Sequence, residues 1–100
     1  MKNIDVFNGL KQEQYKADIE SVQAQIYALD SSYPEGHKEW TATAERKEEQ
    51  AQGIFNAMVA LLPKYSTYEL NEESFALLDQ YIEKRGELEE LKRQLAKEAA

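Results

Sequence analysis

The chain has 100 residues, no cysteine, and 12 basic against 19 acidic side chains, a net charge of −7. That excludes disulfides, thiolate metal sites and a cysteine nucleophile, and it leaves the chain short of the cations that nonspecific nucleic-acid binding needs to neutralise phosphates. A hydrophobic fraction of 42% with 31% charged residues suits one folded helical domain rather than a disordered chain, and an anionic membrane surface would repel it.

Residues 1–9 place Ile4, Val6 and Phe7 beside Asn8-Gly9 and are expected to form either a short, flexible arm or a frayed helix start. Asp5 or Asn8 is the expected N-cap of the first helix, because a short polar side chain accepts backbone N–H groups there. The opening MKNIDVFNGLKQ lacks the apolar stretch of a secretory signal. The longest apolar run, 57–62, is far short of the roughly 20 residues a membrane span requires. A cytoplasmic protein is therefore expected.

The first helix is predicted over about residues 10–30. Tyr15, Ile19, Val22, Ile26 and Leu29 recur at four, three, four, three, which puts them on one helical face. Pro34 interrupts the pattern, and Ser32 with Glu35 has the spacing of a capping box for the next helix. That helix is predicted over about 37–62, with a stripe of Trp40, Ala44, Lys47, Ala51, Ile54, Met58 and Leu61. Trp40 is assigned to the core. Ala44 and Ala51 are small enough to let a neighbour approach closely. Lys47 either snorkels to the rim, pairs across helices or marks an incomplete core.

Pro63 ends the second helix. Asn71 or Ser74 is expected to cap the third, predicted over about 71–98, with Glu72 and Glu73 in the first turn where the helix dipole favours anions. Its core face is expected to be Phe75, Leu78 and Ile82, then Leu88, Leu91 and Leu95, with Leu77 and Tyr81 beside it, interrupted by Arg85 and Gly86. Gly86 costs about 1 kcal/mol relative to alanine in a helix interior, so a kink or a close contact is expected there. The narrow stripe Leu88, Leu91, Leu95 between dense charges of both signs has a coiled-coil composition. Short connections favour an all-α, up-down-up antiparallel bundle of three long amphipathic helices, one domain over 1–100, with its tail open to pairing with a second copy.

Catalytic chemistry finds little support. His37 is the one histidine, beside a helix start, with no recognisable nucleophile or orienting partner. Carboxylates at helical spacing (Glu45, Glu48, Glu49; Glu69, Glu72, Glu73; Glu87, Glu90) lack the Glu-x-x-His pairs of a di-iron bundle. Phosphate-binding glycine loops and the helical zinc-protease and calcium-loop patterns do not occur. No catalytic, cofactor-binding or metal-binding residue is nominated, and a non-enzymatic protein is expected.

Charge distribution says more. No basic residue lies between Lys64 and Lys84, an interval that holds Glu69, Glu72, Glu73, Asp79 and Glu83. It also holds Tyr65 and Tyr68, and tyrosines supply large contact area at interfaces. Tyr65, Tyr68, Glu69, Glu72, Glu73, Asp79 and Glu83 are the nominated partner-binding residues, and the expected partner is a protein with a basic surface. A small, acidic, helical, tyrosine-bearing chain is similar to inhibitors that phages encode against host defence enzymes, some of which imitate DNA. The similarity is one of composition and carries no motif. The alternative expectation is a self-associating structural or adaptor protein that pairs through Leu88, Leu91 and Leu95.

Overall fold

The computed structural model describes residues 2–99. Among them are three α-helices of 28 residues each: α1 (Asn3–Asp30), α2 (Pro34–Leu61) and α3 (Glu72–Ala99). A 3-10 turn, Tyr65–Thr67, lies in the connection between α2 and α3. At 1.5 Å per residue each helix is about 42 Å long, which accounts for an outline of 51 × 22 × 18 Å. The all-α, up-down-up arrangement agrees with the apolar spacing. Its cross-section is not a closed triangle: α1 is a spine packed by α2 and by α3, while α2 and α3 scarcely touch.

α1 uses two faces. Ala17, Ser21, Ala24 and Ala28 are buried at spacings of four, three and four, with Phe7 in line two heptads before Ser21, and they face α2, whose buried residues include Ala44, Ala51 and Met58. Small side chains on both sides let the backbones come close, so Ser21 Oγ donates to the Ala44 carbonyl at 2.9 Å. The Tyr15, Ile19, Val22, Ile26, Leu29 stripe lies on the side from which Asn8 and Gln12 reach α3. Lys47 pairs with Glu20 across the α1–α2 seam at 2.5 Å.

Several boundaries differ from the sequence expectation. α1 begins at Asn3 rather than at residue 10, and residues 3–9 form its first turns rather than an arm. The reason is burial: Phe7 is 4% exposed in a cluster with Met58 and Leu62, flanked by Val6, Leu10, Tyr65, Tyr68 and Leu70. Asn8 is no N-cap but a buried residue inside the helix. α2 begins at Pro34, where proline is pre-organised for the first helical position, and the Ser32–Glu35 box does not form. Gly36 is required there, because a Cβ would overlap Ser31 Oγ and the Tyr33 ring.

The expected N-cap of α3 does form. Asn71 Oδ1 accepts from Ser74 N at 2.9 Å. With Ser74 against Asn8, a parallel α3 brings Leu95 level with Leu29. The tail of α3 thus lies beside α1 rather than beyond it. Leu88 is buried, and Leu91 and Leu95 are half-buried.

Gly86 meets no neighbouring atom within 4 Å of an added Cβ, so the close-contact reading fails. Gly86→Ala should therefore gain helix propensity without a clash, stabilising the protein by about 0.5–1 kcal/mol. Thermal melting is expected to show a midpoint raised by a few degrees; a lowered midpoint would contradict the open surroundings.

Candidate protein-binding surface

The side of α3 that meets α1 carries Ser74, Tyr81, Leu88 and Leu95, seven residues apart, all buried or half-buried. Glu72 and Asp79 stand two positions earlier in each repeat, about 200° round the helix, so they point away from α1. Glu83 shares their line at four residues' spacing. All three are exposed, as are Glu69 and Glu73. Glu73 is turned about 100° from that ridge. Among the described residues, none of these five carboxylates is in an ion pair.

Tyr65 and Tyr68 do not join the ridge. Their ring centroids lie 6.4 Å and 5.6 Å from that of Phe7, and Phe55 meets Tyr65 edge-on at 6.2 Å. Both are half-buried and hold the α2–α3 connection onto the base of the bundle. Phe75 and Ile82, expected in the core face of α3, are instead 52% and 59% exposed, because α2 does not close over that side of the helix, and they supply the exposed apolar area on this part of α3. Their alternation with acids in the sequence was visible, but nothing in it said which apolar positions stay uncovered. Leu88, Leu91 and Leu95, nominated for self-association, are engaged within the chain on the α1 side of α3.

His37 is exposed at the start of α2. Trp40 is not core: it is 37% exposed and tilts against the exposed Tyr27 ring at 4.7 Å. Among the described residues no group of three or more histidines and carboxylates is placed to hold a metal ion, and no helix is long and apolar enough to cross a membrane.

A second feature was hidden from the sequence. Because α2 and α3 pack on α1 without closing on each other, a cleft runs between them. At one end a hollow of about 430 Å³ has Ala28 and Leu29 on its floor, Glu45 and Glu48 on the α2 wall, and Arg85 and Lys92 on the α3 wall. Beside it, a hollow of about 270 Å³ gathers Gln14, Asp18, Glu48, Gln52 and Phe55. Arg85 is turned onto Tyr81, 3.1 Å from its hydroxyl, and Lys92 pairs with Glu89 on its own helix. Among the described residues no ion pair crosses the cleft.

Asp18 on the cleft floor is held above the usual carboxylate range by partial burial and then by Glu48, with Lys11 and Arg85 opposing. Burial lowers the Lys11 ammonium against the pull of Asp18, and burial followed by Asp18 raises the Tyr15 hydroxyl. Comparison with models of protein families, with curated proteins and with solved structures returns no match.

The raised Asp18 carboxyl has a definite sign. The folded state holds that proton more tightly than the unfolded chain, so stability is lost as pH rises from the ordinary aspartate range through the folded value. Asp18→Asn should raise the melting midpoint at pH 7, with the gain shrinking as pH falls and vanishing only well below the ordinary aspartate value of about 4, where Asp18 is protonated in both states. A lower midpoint for the variant at neutral pH would contradict this.

Proposed function

We propose that the protein is a non-enzymatic, cytoplasmic protein-interaction module that covers a basic surface of its partner. The observation that carries this is the outer ridge of α3, where Glu72, Asp79 and Glu83 stand exposed and without ion pairs beside exposed Phe75 and Ile82. Unneutralised carboxylates steer a basic partner and raise the rate of encounter, whereas apolar side chains supply contact energy once the surfaces meet. Glu69 and Glu73 extend the same negative field. In this reading Tyr65 and Tyr68 shape the surface from beneath and touch the partner only at their exposed edges. An inhibitor of phage type, or one that occupies a nucleic-acid channel by presenting carboxylates in place of phosphates, is the kind of activity such a surface supports.

Capture from a lysate of the native host at low and at high salt tests the reading, because electrostatic association weakens as salt screens it. The partner should be retained at low salt and released at high salt. The triple variant Glu72→Lys, Glu73→Lys, Asp79→Lys should then associate at least tenfold more slowly, with a flatter salt dependence and an unchanged circular dichroism spectrum. Unchanged affinity in that variant would remove α3's ridge from the site.

A further inference from the structure

The cleft between α2 and α3 has a polarity along its length. On α3, Phe75, Leu78 and Ile82 share the side that carries Arg85, Glu89 and Lys92, by spacings of three, four and seven. On α2, Phe55 and Val59 share the side that carries Glu45 and Glu48. The two helices run in opposite directions, and the Ser21–Ala44 and Asn8–Ser74 contacts set their register: Phe55 is level with Phe75, with Val59 beyond it toward the α2–α3 connection, Ile82 is level with Glu48 to Gln52 where the apolar stretch ends, and Glu45 and Glu48 share a hollow with Arg85 and Lys92. One half of the cleft is therefore apolar, with Val59, Phe75 and Ile82 about half exposed. The other half has an acidic floor and wall in Asp18, Glu45 and Glu48, none of them in an ion pair among the described residues; Arg85 and Lys92 are turned onto Tyr81 and Glu89, and Lys11, whose charge also acts on Asp18, lies over the Tyr15 ring.

Gln14 Oε1 is buried on the cleft floor and accepts no hydrogen bond from the described residues. A buried acceptor without a donor is costly, and Gln14 lines the hollow together with Asp18, Glu48, Gln52 and Phe55. A guanidinium or ammonium group entering there would donate to Gln14 Oε1, pair with Asp18 or Glu48, and lie near an aromatic ring. From Phe75 to Lys92 the wall spans 17 residues, about 25 Å. That is a helix's length, and helix-in-groove recognition reads such walls as anchors at i, i+3, i+4 and i+7.

We propose that the cleft between α2 and α3 receives an amphipathic helix of a partner protein, apolar where it meets Phe55, Val59, Phe75 and Ile82 and bearing lysine or arginine where it meets Asp18, Glu45 and Glu48. This rests on the reading of a basic protein partner and specifies how it is gripped. A second copy of the chain is the poorer occupant, since each copy carries a net charge of −7 and like charges oppose association.

The test uses the full chain and a synthetic 18-residue helical peptide with leucine on one face over its first half and arginine on that face over its second. Fluorescence anisotropy should show saturable binding that Glu48→Lys and Ile82→Glu, both surface changes, each weaken at least tenfold. Asp30→Lys with Glu98→Lys, a charge-matched pair of exposed positions outside both the cleft and the ridge, should change it less than threefold. The absence of native cysteine allows a second readout: a thiol introduced by Gln52→Cys, in the cleft, should be protected from alkylation by the peptide, and one introduced by Gln50→Cys should not. No saturable binding, equal loss through the control pair, no loss through the cleft variants, or sedimentation as a dimer dispersed by Ile82→Glu would each overturn the proposal. A ridge effect on the natural partner with no cleft effect on the peptide would leave the broader reading standing and remove only this one.

Discussion

The side chain of Asn8 has two donors and two acceptor sites, and all four are taken inside the protein. Nδ2 donates to the carbonyls of Ile4 and Glu69, each at 3.0 Å. Oδ1 accepts from the Asn71 amide and from the Ser74 hydroxyl, each at 2.8 Å. Asn8 is 3% exposed and Ser74 is 0% exposed. An unpaired polar group in such a place costs about 1–3 kcal/mol, so the four bonds stand or fall as a set. They fix the α2–α3 connection, cap the start of α3 through Asn71, and set its register against α1. The aromatic cluster of Phe7, Tyr65 and Tyr68 closes over the same end.

The cleft follows from this clasp. Small residues draw α2 close along one face of α1, and the clasp seats α3 on another, so the two flanking helices diverge rather than close into a triangle. Carboxylates on the exposed side of that gap find no cation across it. Asp18 is kept partly buried beside Glu48, an arrangement that lowers the stability of the free protein at neutral pH. Local choices that oppose stability are expected where a surface serves binding.

Helices were legible where large apolar residues alternate with charges, and the Tyr15 to Leu29 stripe, the Ala44, Ala51 and Met58 part of the α2 stripe and the Asn71 cap lie where spacing put them, whereas Trp40 and Leu61 at the ends of the α2 stripe are exposed and Leu62 is buried in place of Leu61. The α1–α2 seam was less visible because alanine and serine contrast weakly with their neighbours in hydropathy. Phe7-Asn8-Gly9 resembles a turn locally and is helical only because Met58 and Leu62 cover Phe7 and the Ser74 region satisfies Asn8, contacts more than fifty residues away in the chain. Tyr65 and Tyr68 carried no sign of which ring faces inward. The acidic ridge was present in the sequence as a run without lysine or arginine, whereas the cleft depends on two helices failing to meet, a property no single helix's pattern contains.

Hydrogen exchange on Asn8→Ala tests the clasp most directly. The account predicts that amides of α3 from about residue 75 onward lose protection by at least tenfold more than those of the α1–α2 seam, because α3 is held by α1 alone and can undock as a unit. Equal loss across all three helices, or no loss in α3, would contradict it.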